Sequence, residues 1–132
     1  MKRTRLHKLS VEPVAKIKCE CMGLVKRIVS IRDNDTCQKC DERVYGSNRH
    51  RSHVIPVSAG NKLAFDPMNI KILCFHHHQW WHLNPTESGN WFRTKFPERQ
   101  KYLDDNKGIL KMYYDDWLAL REKLNRDLEI LL

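Results

Sequence analysis

Two short segments hold the residues whose types and spacing could do chemistry. Cys37-Gln-Lys-Cys40 sets two thiols at the spacing that lets a tight turn present both sulfurs to one tetrahedral ion. Redox motifs share that spacing, so alone it decides little. Further along, Cys74-Phe-His-His77 repeats it with imidazole in place of the fourth thiolate. Cys37, Cys40, Cys74 and His77 together make a Cys3His set of the structural Zn2+ type. The competing reading keeps Cys74 as a buried strand residue and the other two as ordinary surface thiols.

Just beyond, His78 and His82 stand at i and i+4, which puts them on one face if the segment is helical. Two imidazoles so placed suit a second ion, although surface pairs of this kind also arise by chance. Trp80 and Trp81 lie between them and are expected to lean on the core, leaving His76 facing solvent.

The order of the pieces carries a resemblance. Cys37-x-x-Cys40, Ser52-His53-Val-Ile-Pro56, Asn69-Ile-Lys-Ile-Leu-Cys74 and His78 resemble the HNH, or ββα-metal, endonucleases that carry a structural zinc. Ala64-Phe65-Asp66-Pro67 with Asn69, and Asn84-Pro85 with Glu87, are most similar to the phage recombination endonucleases of the NinG and Rap kind. The similarity spans roughly residues 25–105 and implies a catalytic set of His53, Asn69 and His78. In such a set His53 is the general base, Asn69 braces the loop that orients it, and His78 with His82 holds a catalytic divalent ion. Mg2+ or Mn2+ is the expected ion, with Ni2+ or Zn2+ matching two imidazoles by ligand softness. Many relatives place Asp or His before the base as a further ligand. Here Ser52 stands there, and His50 shares its strand face by the period of two.

These residues need a scaffold, and the hydrophobic pattern supplies one. Val14, Ile17, Cys21, Leu24, Ile28 and Ile31 recur at helical spacing, so a basic N-terminal helix is predicted over 11–33, ending at Asp33-Asn34-Asp35. Cys21 falls on that stripe as a buried thiol. Cys19 points ~200° away from it, so the pair does not easily share a metal and both stay outside the metal site. Residues 36–84 form the zinc and ββα core, with β-prone runs at His53-Val-Ile-Pro and Ile70-Lys-Ile-Leu. Residues 85–132 are the helical remainder. Asn84-Pro85 caps and opens a helix expected to bear Trp91, Phe92 and Phe96, Pro97 breaks the run, and Gly108 marks a turn. Leu110, Tyr113 or Tyr114, Trp117, Leu120, Leu124, Leu128 and Leu131 form a last stripe. The expected fold class is α+β, a single domain over 1–132 with helices flanking a small ββα-metal core.

Composition narrows the partners. A net charge of +8 over 132 residues favours a polyanion, and DNA is the leading candidate. Lys2, Arg3, Arg5, Arg49, Arg51 and Lys71 are the expected phosphate contacts, with Lys62, Arg93, Lys95 and Arg99 as further candidates. By the resemblance the DNA is branched, as in a recombination intermediate. No apolar run is long enough for a signal core or a membrane span, so the chain is expected in the cytoplasm, by the resemblance that of a bacterial host. The odd count of five cysteines agrees with a reducing compartment. Three functional classes remain open: a metal-dependent DNA endonuclease, a zinc-containing nucleic-acid-binding module without catalysis, and an adaptor whose C-terminal helix meets a partner or a second copy.

Overall fold

The computed structural model describes residues 11–132, so Lys2, Arg3 and Arg5 lie outside the described residues. The first predicted stripe forms helix α1, Val14–Arg32, burying Ile17, Cys21, Val25, Ile28 and Val29. Its buried face is turned slightly from the expected one, because Val14 and Ile31 at the helix ends are exposed. The helix stops at Asp33, and Asn34 and Asp35 then take positive φ of 53° and 47°. Short polar side chains tolerate that conformation, so the chain reverses without a glycine.

Strand β1, His50–His53, pairs antiparallel with β2, Ile70–Leu73, placing His50 opposite Leu73 and His53 opposite Ile70. The β-prone run after His53 does not extend the strand as expected. Val54 N–H still reaches Asn69 O at 2.8 Å, but the backbone of Ile55 is then taken by the Asn69 side chain, and Pro56 has no N–H to offer. All four residues of β2 are buried, one face lying against α1.

Four helices follow: α2 (Phe75–Leu83), α3 (Pro85–Lys95), α4 (Pro97–Asn106) and α5 (Tyr114–Leu131). Prolines open α3 and α4, where a missing N–H costs nothing. Asn84 departs from its expected role. Its side-chain amide donates back to Trp80 O at 3.3 Å, closing α2 rather than capping α3. Among the described residues the chain is thus α+β, with five α-helices and one two-stranded sheet, and no helix is long and apolar enough to cross a membrane.

The main core lies where α5 packs along α1 over β2, with Trp117, Leu124 and Leu128 meeting the buried face of α1. Arg121 ties the same two helices outside the core, at 2.7 Å from Glu20 and 2.9 Å from Glu12. A smaller core of Leu63, Phe92 and Leu103 sits under α3 and α4, and Trp81 and Trp91 touch both cores. Leu124 is 1 % exposed at the main interface. Leu124→Ala is expected to cost about 2–5 kcal/mol in a chemical denaturation series at saturating metal. A loss near zero would show that the α1–α5 interface does not hold the fold together.

Candidate functional site

The cysteines converge as their spacing predicts. Ligand atoms of Cys37, Cys40, Cys74 and His77 all lie within 4.8 Å of one another, a group that can hold a metal ion. The loop after α1 is shaped for this. Cys37 N–H reaches Glu42 O at 2.7 Å, Asp41 N–H reaches Cys37 O at 2.8 Å, and Asp41 adopts a φ of 64°. Gln38 N–H joins the loop to Ile72 O on β2 at 2.9 Å. Cys74 caps α2, its sulfur accepting His77 N–H at 3.4 Å, so one helical turn brings the imidazole over the sulfurs.

The distances fit one tetrahedral ion. Cys37 Sγ and Cys74 Sγ lie 3.7 and 3.3 Å from His77 Nδ1, around the ~3.6 Å that bonds of ~2.3 Å to sulfur and ~2.1 Å to nitrogen would set. Protonation favours a cation as well. Burial pushes the Cys74 thiol up to about 11, with the neighbouring Cys37 sulfur adding to the shift, and burial also raises Cys40. Burial acts the same way on Cys37, but the N–H groups of Cys74, Cys40 and Lys39 outweigh it and leave that thiol below its ordinary range. Three thiolates this close are stable only around a positive ion, which displaces their protons as it binds.

One turn further along α2, His78 and His82 face each other with Nε2 atoms 3.1 Å apart. Two bonds of ~2.1 Å meeting at about 95° span that distance, so the pair can bind one ion in adjacent positions. Burial, followed by the charges of His50, His82 and Lys71, pushes His78 down to about 4. The imidazole is therefore neutral near pH 7, as a ligand must be. His50 stacks on His78 with ring centroids 4.7 Å apart, and its buried Nε2 has no partner. His76 is exposed as expected.

Across from this pair, His53 Nε2 lies 3.0 Å from Ala64 O. A carbonyl can only accept, so Nε2 carries the hydrogen and Nδ1 is the basic nitrogen of the neutral ring. Asn69 is fully buried and stitches the same loop: Oδ1 accepts Ile55 N–H at 2.8 Å, while Nδ2 donates to Ile55 O at 2.9 Å and Leu63 O at 3.2 Å. His53, His78 and His82 line one cleft of about 490 Å³ together with Arg51, Ser52, Trp81 and Arg93.

Several expected phosphate contacts are placed otherwise. Lys71 is fully buried: opposite Ser52 in the sheet, its ammonium is turned inward, so it is not a surface cation. Arg49 is paired with Asp35 at 2.8 Å. Arg99 donates to Met68 O and Ile70 O, both at 2.6 Å, and burial followed by the charge of Arg32 lowers it to about 10. Arg51 donates to Ser30 Oγ at 3.0 Å yet still lines the cleft, so it and Arg93 are the cations that face it. Sequence reasoning missed the buried Asp33, which accepts Ile72 N–H at 3.0 Å and pairs with Arg32 at 2.8 Å. Its position in a turn-forming cluster gave no signal of burial.

No family model, curated protein or solved structure matches this chain. The site therefore rests on its own geometry. Cys40→Ser removes one sulfur from the cluster, and elemental analysis is expected to show loss of the bound metal. The melting temperature should fall on the order of 10 °C, because metal-binding free energy is folding free energy here. A variant that melts with the native protein removes the metal centre from the account.

Proposed function

We propose that this chain is an HNH-type, metal-dependent DNA endonuclease with a structural zinc. The Cys3His set matches zinc in donor type and number, and every position is filled by protein, as a structural rather than a catalytic site requires. The observation that carries the proposal is the shared cleft, where an imidazole from the end of β1 meets a helical imidazole pair. Strand, clamped loop, strand and histidine-bearing helix follow in the order the HNH resemblance implies.

On this reading His53 Nδ1 takes the proton from the attacking water, with Ala64 O holding the ring through its other nitrogen. Asn69 keeps the loop that presents Ala64 in register by fixing Ile55 and Leu63. His78 and His82 would hold a divalent ion, which would supply the positive charge that phosphodiester cleavage needs at the leaving oxygen. Two imidazoles favour Mn2+, Ni2+ or Zn2+ over Mg2+ by ligand softness, while phosphate oxygens and waters at the remaining positions favour Mg2+. Arg51 and Arg93 bind the phosphate backbone without reading sequence, helped by the basic residues of the N-terminal segment. No recognition helix of a known type is identified among the described residues, which favours a substrate recognised by shape, and branched DNA follows from the resemblance alone.

A second reading, a zinc-containing nucleic-acid-binding module without catalysis, draws on one observation. Ser52 stands where many HNH enzymes carry a further metal ligand, and its hydroxyl is committed to Lys71 at 3.1 Å. Purified protein incubated with plasmid and four-way-junction DNA in Mg2+ or Mn2+ separates the two. The enzyme cuts, and His53→Ala loses about 100-fold or more of the rate while DNA affinity is kept. Binding without cleavage in every metal establishes the module, and cleavage undiminished in His53→Ala removes His53 as the base.

A further inference from the structure

A lysine inside a strand ordinarily marks a solvent-facing position, yet Lys71 is fully buried and its Nζ has an unusual set of neighbours. The nitrogen lies 3.1 Å from Ser52 Oγ, 3.4 Å from Ser52 O and 3.4 Å from His53 O. It also sits 3.4 Å from the centre of the Trp81 ring. Three oxygens on β1 and one indole face on α2 thus converge on one side chain of β2.

The surroundings select its chemical form. An ammonium has three N–H donors for the three oxygens and a positive charge for the electron-rich indole face. A neutral amine would turn a lone pair toward an oxygen or the ring, losing a hydrogen bond at a buried site. The same geometry argues against a Ser–Lys nucleophile pair, since Nζ is a donor to Ser52 Oγ rather than a free base. Opposing groups are present: burial pulls this amine well below its ordinary range, the Arg99 guanidinium on α4 acts the same way, and the Asp33 carboxylate after α1 acts against both. His78 on α2 in turn feels the Lys71 charge.

Placement gives the contact a consequence. Ser52 and His53 end β1 and carry the base, while Trp81 lies on α2 between His78 and His82. Trp81 is itself held, since it packs on both cores and its carbonyl accepts Ser88 Oγ–H at 3.0 Å. We infer that Lys71 is a positioning residue, a buried ammonium clamp that fixes the His53 backbone to the helix bearing His78 and His82 and so sets the separation across the cleft. The inference rests on the nuclease reading for its catalytic consequence, but not for the clamp itself.

The test compares full-length, metal-loaded protein with Lys71→Met, which keeps the aliphatic stem and removes the three donors. Zinc content, DNA affinity and KM for plasmid are expected to stay unchanged while kcat falls about 10- to 100-fold, the cost of a misplaced reacting group. Amide hydrogen exchange at Ser52, His53, Val54 and Ile55 is expected to accelerate about tenfold or more, with α5 unaffected. Unchanged exchange at those four amides overturns the clamp. Accelerated exchange with native kcat overturns its role in positioning. Exchange is read without turnover, so a wild-type protein that cuts no DNA, with faster exchange in Lys71→Met, sinks the nuclease reading and keeps the clamp. If Lys71→Met loses its zinc and does not fold, the native protein decides. Nitrogen-15 NMR at neutral pH is then expected to show a slowly exchanging NH3+ for Lys71, and a neutral amine overturns the inference.

Discussion

The position of α2 depends on the Cys3His cluster at its first turn, together with the contacts of Trp80 and Trp81. None of the residues of α2 is fully buried, so its hydrophobic anchorage is confined to Trp80 and Trp81 against Trp91 and Phe92. Two four-residue strands are marginal as an independent unit and cannot hold it either. What holds it is the join at its first turn, where Cys74 and His77 meet Cys37 and Cys40 from the loop after α1. Because α1 is itself fixed by the main core, the cluster passes the rigidity of the α1–α5 pair to the helix that carries His78 and His82. A functional side chain held on a helix is placed more accurately than one on a loop, and here a metal-binding group takes the place of a core.

The other half of the cleft is held by buried polar groups. Asn69 binds the backbone of Ile55 and Leu63, Lys71 binds that of Ser52 and His53, and Arg32 donates to Pro67 O and Ile70 O, each at 2.5 Å. Each such group costs desolvation free energy that its hydrogen bonds roughly offset, so the gain in stability is small. The gain in definition is larger. The loop from 54 to 69 contains only short 3-10 turns, and directional bonds to fixed side chains give it one conformation where apolar packing would allow several.

These two modes of support explain what could be read in the sequence. Tetrahedral coordination fixes ligand spacing locally, so the two x-x-spaced pairs and the four-residue histidine interval could be found before any tertiary contact was known. Helical periodicity likewise exposes α1 and α5, and Pro85 gives the start of α3, whereas Pro97 reads only as a break although it opens α4. Charge on a strand usually means exposure, so Lys71 reads as a surface cation. Its burial depends on facing Ser52 across the sheet and Trp81 from the next helix, a coincidence of register and packing that no local pattern encodes. The β-prone run from His53 stops short as a strand for a related reason. Val54 and Ile55 have high strand propensity, and a side chain from fourteen residues on takes the hydrogen bonds a longer strand would use.

On the nuclease reading, charge balance around the cleft favours an anionic partner. Arg32, Arg49, Arg51, Lys71 and Arg99 all lie in or against the sheet region, opposed nearby by Asp33 and Asp35. Burial and the adjacent Arg49 lower Arg51, and the buried Nε atoms of both arginines lack hydrogen-bond acceptors, as does His50 Nε2. Like charges gathered in a partly desolvated region repel, and the packing described above works against that repulsion. A phosphate at the mouth of the cleft would lie beside Arg51 and Arg93 and reduce the repulsion, whereas a neutral or cationic partner would leave it in place. On the nuclease reading, the same excess that draws the backbone in also favours the phosphorane-like charge that builds up during cleavage, so binding and chemistry draw on one electrostatic feature.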